Sequence, residues 1–270
     1  MLPLRPFLIS QIQFRWVPST FYIAFLLLPL VPVFYLSFHS NVSTPDLASS
    51  EFTFRNYLKI FNNANLTAAI SSSISYVLIN IVITIPLALP AAYAFSRFSF
   101  TGDKHLFLGF LALRMTPPVV MIFPIFQLFS SIGLINSPLA IALAHCLFNI
   151  PISIWVLESF MSAIPKELDE TALVDGHSLP GFFIKKFLPL MAPGIAVAAF
   201  FCFMFSWVEV VFARILTVTN GKPISMAITA LFSFKTDIGL VMAMTVLSII
   251  PGAIMIFFVR KHIAKGFTIR

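Results

Sequence analysis

Apolar residues in this chain run in long blocks rather than in alternation. Six blocks, near 20–38, 70–95, 106–130, 138–160, 190–213 and 239–259, carry few or no charges. Each approaches or exceeds the roughly 20 helical residues needed to cross about 30 Å of hydrocarbon. Barrel strands would change character at every second residue, so continuous blocks predict helices. The expected fold class is all-α integral membrane with six transmembrane helices, in which residues 1–19 form an N-terminal segment and 20–270 the spanning domain. The first block lies behind Arg5, Gln11, Gln13 and Arg15, and no small-residue cleavage site follows it. It therefore reads as a retained span rather than a signal peptide.

Composition narrows the class. A chain with 59% hydrophobic residues, 10% charged residues and 32 Phe among 270 positions has no solvated surface of the soluble kind. The net charge of +7 comes from basic residues scattered over loops, which argues for orientation in lipid and against nucleic acid. With a cytoplasmic N-terminus, 11 Lys and Arg fall on the inner side and 5 on the outer, with Arg114 inside a span. The positive-inside rule then places both termini and the long 161–189 loop in the cytoplasm. Cys146 and Cys202 sit within apolar blocks and read as small hydrophobes.

That loop carries the most chemistry. Its sequence, PKELDETALVDGHSLPGFFIKKFLP from Pro165 to Pro189, together with Glu158 upstream, holds five of the ten acidic residues. Pro165 suits a first helical position, and Glu167, Asp169 and Glu170 follow in turns where the helix dipole favours negative charge. Leu168, Thr171, Ala172 and Asp175 predict one narrow face of a three-turn helix, fit for close approach to another protein. Gly176 is placed to end the helix with positive φ, and Pro180, Gly181 and Pro189 turn the chain back. An interfacial helix would carry basic residues on its polar face, and anionic lipid would repel this one.

The same residues resemble the cytoplasmic signature loop of permease subunits of binding-protein-dependent ABC importers: Glu-Ala-Ala, three residues, Gly, then a dozen residues to Leu-Pro. Glu170, Ala172, Asp175, Gly176, Leu188 and Pro189 match it. Thr171 replaces the first alanine, and Lys186 stands where an aliphatic residue is usual. AAYAFSRFSFTGDK at 91–104, PPVVMIFPIFQLFSSIGLINSPLAIAL at 117–143 and FNIPISIWVLESFMSAIPKELDETALVDG at 148–176 resemble the sugar and polyol branch of that family. FSWVEVVFARILT at 205–217 is similar to a Trp-Asn-acid segment with Val208 in place of Asn. The ending IIPGAIMIFFVRKHIAKGF is most similar to permeases for glycerol and related polyols. The resemblance implies a type I importer permease of the bacterial inner membrane, paired with a sister permease, two ATP-binding subunits and an external solute-binding protein. It also implies that the helix at 165–175 couples to an ATP-binding subunit, with Glu170 facing a basic residue there.

Energy then comes from partners. No G-x-x-x-x-G-K-[ST] segment is present to cradle phosphates, so Mg²⁺-ATP hydrolysis belongs to other subunits and this chain is expected to hold no cofactor. His39, His105, His145, His177 and His262 are scattered, with no catalytic or metal-ligand spacing, which argues against an enzyme. Polar groups inside spans mark candidate translocation-path residues. His145 and Asn149 share a helix face, which suits hydrogen bonding to a hydroxylated solute and equally suits a tie to a neighbouring helix. Glu209, beside Trp207 and near Arg214, is placed to meet solute, the external protein or Arg214. Arg114 is expected to snorkel toward the cytoplasmic surface. Pro117, Pro118 and Pro124 make Met115–Phe126 a candidate gate. A stand-alone secondary transporter or channel driven by an ion gradient is the competing class; the lack of an evident internal repeat, the few buried charges and the acidic docking loop count against it.

Overall fold

A computed structural model describes residues 21–39, 51–219, 221–232 and 237–266. The 1–19 segment, with Arg5 and Arg15, lies outside the described residues, as do Lys235 and Arg270. The helices are α1 (Leu30–Ser37), α2 (Arg55–Asn62), α3 (Ala64–Arg97), α4 (Asp103–Met115), α5 (Pro118–Ser131) and α6 (Pro138–Ser162). They continue with α7 (Glu167–Val174), α8 (Leu179–Leu190, with a π turn at Phe183–Phe187), α9 (Ala192–Val208), α10 (Val211–Leu216), α11 (Ile224–Leu231) and α12 (Ile238–Gly266). Among the described residues the only extended pairing is an isolated bridge, His39 with Phe52.

Among the described residues three helices, Ala64–Arg97, Pro138–Ser162 and Ile238–Lys261, are long and apolar enough to cross a membrane. The number rises to five if α4 with α5, bent by 92°, and α8 with α9, bent by 76°, each count as one span. The apolar block at 106–130 is thus not one straight helix. Thr116 (ψ 128°) and Pro117 (ψ 130°) are extended, because a residue that precedes proline is pushed out of the helical region and Pro117–Pro118 impose this twice. The block at 190–213 also divides: α9 stops at Val208, Glu209 is extended (ψ 131°), and a new helix begins at Val211. In contrast, α3 passes Pro86 and Pro90 without interruption.

The described residues fall into two units, one comprising 21–39, 51–63, 230–232 and 237–248, the other 64–219, 221–229 and 249–266. In the first, Asn56 donates to the carbonyls of Ser37 and His39 at 3.0 Å each, and Lys59 pairs with Asp237 at 2.7 Å. Gly239 is required there, since a Cβ would stand 2.5 Å from the His39 carbonyl oxygen.

In the second unit α3, α6 and α9 pack on one another around a core that includes Ala88, Ala92, Leu157, Met161, Ala198 and Cys202. Small residues let membrane helices approach closely. Gly194 of α9 shows how closely: a Cβ there would meet the Phe160 side chain at 2.9 Å. The start of α6 is fixed by Ser137, whose hydroxyl accepts from the Ala140 N–H at 3.2 Å, with Pro138 at the first helical position.

Candidate functional site

The acidic loop between α6 and α8 forms the helix its sequence predicts, but a shorter one. Pro165 stands ahead of it, its carbonyl accepting from the Leu168 N–H at 3.3 Å, and α7 spans eight residues with Glu167, Asp169 and Glu170 in its first turn. The stop falls at the predicted glycine. Gly176 has φ 79°, and the His177 N–H reaches back to the Ala172 carbonyl at 3.1 Å, the 6→1 bond of a Schellman motif. No atom lies within 4 Å of a Cβ placed on Gly176, so its backbone conformation alone calls for glycine.

The face it presents differs from the expected one. Ala172 belongs to the chain's own core at 7% exposure, and Asp169 is buried at 9%. The open face is Glu167, Glu170, Thr171 and Val174, at the i, i+3, i+4, i+7 positions of a single helical stripe. Asp175 and Gly176 are also exposed. Leu188 is half-buried against the core and Pro189 exposed.

Asp169 points inward because Arg97, in the last turn of α3, receives it. Arg97 Nε donates to Asp169 Oδ2 at 2.6 Å, and the pair is buried, with side-chain exposures of 4% and 13%. The Tyr93 hydroxyl donates to the same oxygen at 3.1 Å, and a second guanidinium nitrogen of Arg97 donates to the Met161 carbonyl at the end of α6, also at 3.1 Å. The guanidinium lies 5.2 Å from the Phe187 ring centroid in the π turn of α8. Lys166 Nζ donates to the Arg97 carbonyl at 3.4 Å, and Ser96 and Ser162 hydroxyls meet at 3.1 Å. Arg97 Nη2 and Asp169 Oδ1 are buried without a hydrogen-bond partner. Sequence reasoning missed this junction, since Arg97 registered only as one inner-side charge.

Within the apolar blocks the structure brings the candidate path residues into two ties between helices. His145 Nε2 and Glu209 Oε2 share a hydrogen bond at 3.0 Å. Glu209 also accepts the N–H groups of Val211 and Phe212, capping α10. Asn149 donates to Asn80 Oδ1 at 2.6 Å, to Ser206 Oγ at 3.0 Å and to the Cys202 carbonyl at 3.3 Å, linking α6 to α3 and α9. Asn80 in turn donates to the Ala142 carbonyl at 2.9 Å. His145, Asn149, Asn80 and Ser206 have no exposed surface. Trp207, nearly buried, stacks on Phe203 at 5.4 Å. Glu209 and His145 are thus paired with each other, and the guanidinium of Arg114 lies 4.6 Å from the Phe205 ring of α9. Asn80 and Ser206 complete this network without being among the residues the sequence singles out. A lone Asn within the block 70–95 was the available signal.

Residues 84–269 match the protein family described as binding-protein-dependent transport system inner membrane component. The chain is 31% identical over 258 residues to the trehalose transport system permease protein SugB of Mycobacterium tuberculosis, covering 93% of this chain and 94% of that one. It is 30% identical to the trehalose/maltose transport system permease protein MalG of Thermococcus litoralis, over 82% of each. In fold it is similar to a chain of a bacterial ABC transporter involved in the import of the acidic polysaccharide alginate, with a TM-score of 0.77 at 20% identity, covering 99% of this chain and 100% of that one.

Proposed function

Because the chain belongs to the family of binding-protein-dependent transport system inner membrane components, we propose that it is one permease subunit of an ATP-driven importer for a small carbohydrate. It is a multi-pass protein of the inner membrane. The importer would hold a sister permease, two ATP-binding subunits and an external solute-binding protein, and the translocation path would run between the two permeases. The names of relatives at 30–31% identity, one for trehalose and one for trehalose and maltose, support a disaccharide-sized solute. The polyol alternative rests on the C-terminal ending alone.

Six spans are part of this proposal. Three long helices and two bent pairs supply five, and the 20–38 block, helical at residues 21–27 and Leu30–Ser37, supplies the first. The charge asymmetry then sets both termini and α7 in the cytoplasm. There the stripe Glu167, Glu170, Thr171 and Val174 would dock on an ATP-binding subunit, with Asp175, Gly176, Leu188 and Pro189 shaping the loop. Closure of the ATP-binding subunits on nucleotide would push α7, and the helix bundle would turn from inward- to outward-facing.

The exposed acidic stripe on α7 is the observation that carries this mechanism. Its test is uptake in proteoliposomes holding the whole complex and the binding protein, with trehalose, maltose and glycerol compared. Glu170→Lys should release the ATP-binding subunits and abolish uptake. Uptake that persists without ATP and follows an ion gradient would instead establish a secondary transporter. Glycerol uptake without disaccharide uptake would select the polyol alternative.

A further inference from the structure

We propose that Arg97 and Asp169 are positioning residues: their buried pair is the joint through which displacement of α7 reaches the helix bundle. This rests on the docking role given to α7 above. A two-turn helix has little stability of its own in water, so α7 keeps its place only through what it touches. Apart from Ala172, its described inward contacts converge on Asp169. Asp169 meets the Tyr93 hydroxyl and, as its charged partner, a guanidinium that is already held on three other sides. Arg97 belongs to the last turn of α3, donates to the final turn of α6 and lies against the π turn of α8.

The chemistry suits a joint. The guanidinium fork donates in two directions at once, to Asp169 from Nε and to the Met161 carbonyl from the terminal nitrogen, and an ammonium has no such fixed geometry. Sliding α7 away from Arg97 would leave a charge unpaired in a site almost closed to water, which is far more costly than stretching an apolar contact. The buried, unpartnered Arg97 Nη2 and Asp169 Oδ1 show that the pair does not saturate its bonding capacity. A pair retained for stability alone gains little over apolar residues of the same volume. Direction is what this pair adds: it lets α7 move only as α3, α6 and α8 move.

Spin labels test this without the solute. One is placed at Leu168→Cys on the flank of α7 and one at Leu87→Cys, exposed on α3, in the complete complex; the buried Cys146 and Cys202 stay unlabelled. The native pair should give one narrow label-to-label distance, unchanged between the nucleotide-free complex and the complex trapped with ATP and vanadate. Arg97→Met, Arg97→Lys and Asp169→Asn should each broaden or split it, and uptake per ATP hydrolysed should fall. The double variant Arg97→Met with Asp169→Leu leaves no orphan charge, so it should fold well yet keep the broad distribution. A narrow native-like distance in the double variant, or in Arg97→Met, would overturn the proposal. Docking is judged separately: if ATP-binding subunits fail to co-purify with the native chain, the docking role falls, while the nucleotide-free distance still reports on the joint.

Discussion

The junction at Arg97 and the polar strip through Asn80, Asn149 and Ser206 bury hydrogen-bonding groups among neighbouring helices of the same unit, yet they serve different ends. In the strip, α3, α6 and α9 already share an apolar interface. Amide and hydroxyl groups there select the register of helices that would pack anyway. At the junction the incoming element is an eight-residue helix on which Ala172 is buried while Leu168 and Val174 are exposed. An ion pair supplies the attachment that packing does not. A polar contact therefore matters most where the apolar area behind it is smallest.

Replacements that remove one partner at each place should make the contrast measurable. Asp169→Asn keeps the shape but leaves Arg97 charged and unmatched, and should cost about 3–5 kcal/mol, the largest loss. Reaction of Cys146 and Cys202 with a maleimide on heating reports it, since both thiols are buried in the fold. An unshifted midpoint would mean the pair contributes nothing. Glu209→Ala removes the partner of His145 and the cap of α10, and should cost about 1.5–3 kcal/mol by the same assay. Gly176→Ala forces a side chain into the left-handed region, at roughly 1–2 kcal/mol, and the loss should be confined to α7. Faster hydrogen exchange of the α7 amides, with the global midpoint unchanged, is the expected result. Ser206→Ala should cost least, about 0.6 kcal/mol, as membrane hydrogen bonds commonly do. If it rivals Asp169→Asn, the distinction between register and attachment is wrong.

Local signals were legible in the sequence. The stop at Gly176 and the break at Pro117–Pro118 are set by one or two residues whose backbone preferences hold in any fold. The open face of α7 was partly concealed, because Ala172 reads as a small docking residue until the core that receives it is present. The Arg97–Asp169 pair could not be read at all. Its members lie 72 positions apart, and nothing in either neighbourhood distinguishes Arg97 from an ordinary inner-side charge. The 20–38 block met its limit differently: Leu28–Pro29 interrupts it, so length and hydropathy alone do not make it one continuous helix.

The partners of α6 also arrive in a fixed order as the chain is made. Asn80 precedes Asn149, so their bond can form as soon as α6 enters the bilayer beside α3. Glu209 follows His145 by 64 residues, and Ser206 and the Cys202 carbonyl follow Asn149 as well. A nascent chain stopped at Phe201 would hold Asn149 tied to Asn80 and His145 still without its carboxylate. The tie at His145 is thus completed only after the chain has been made past the end of α9, where Glu209 stands.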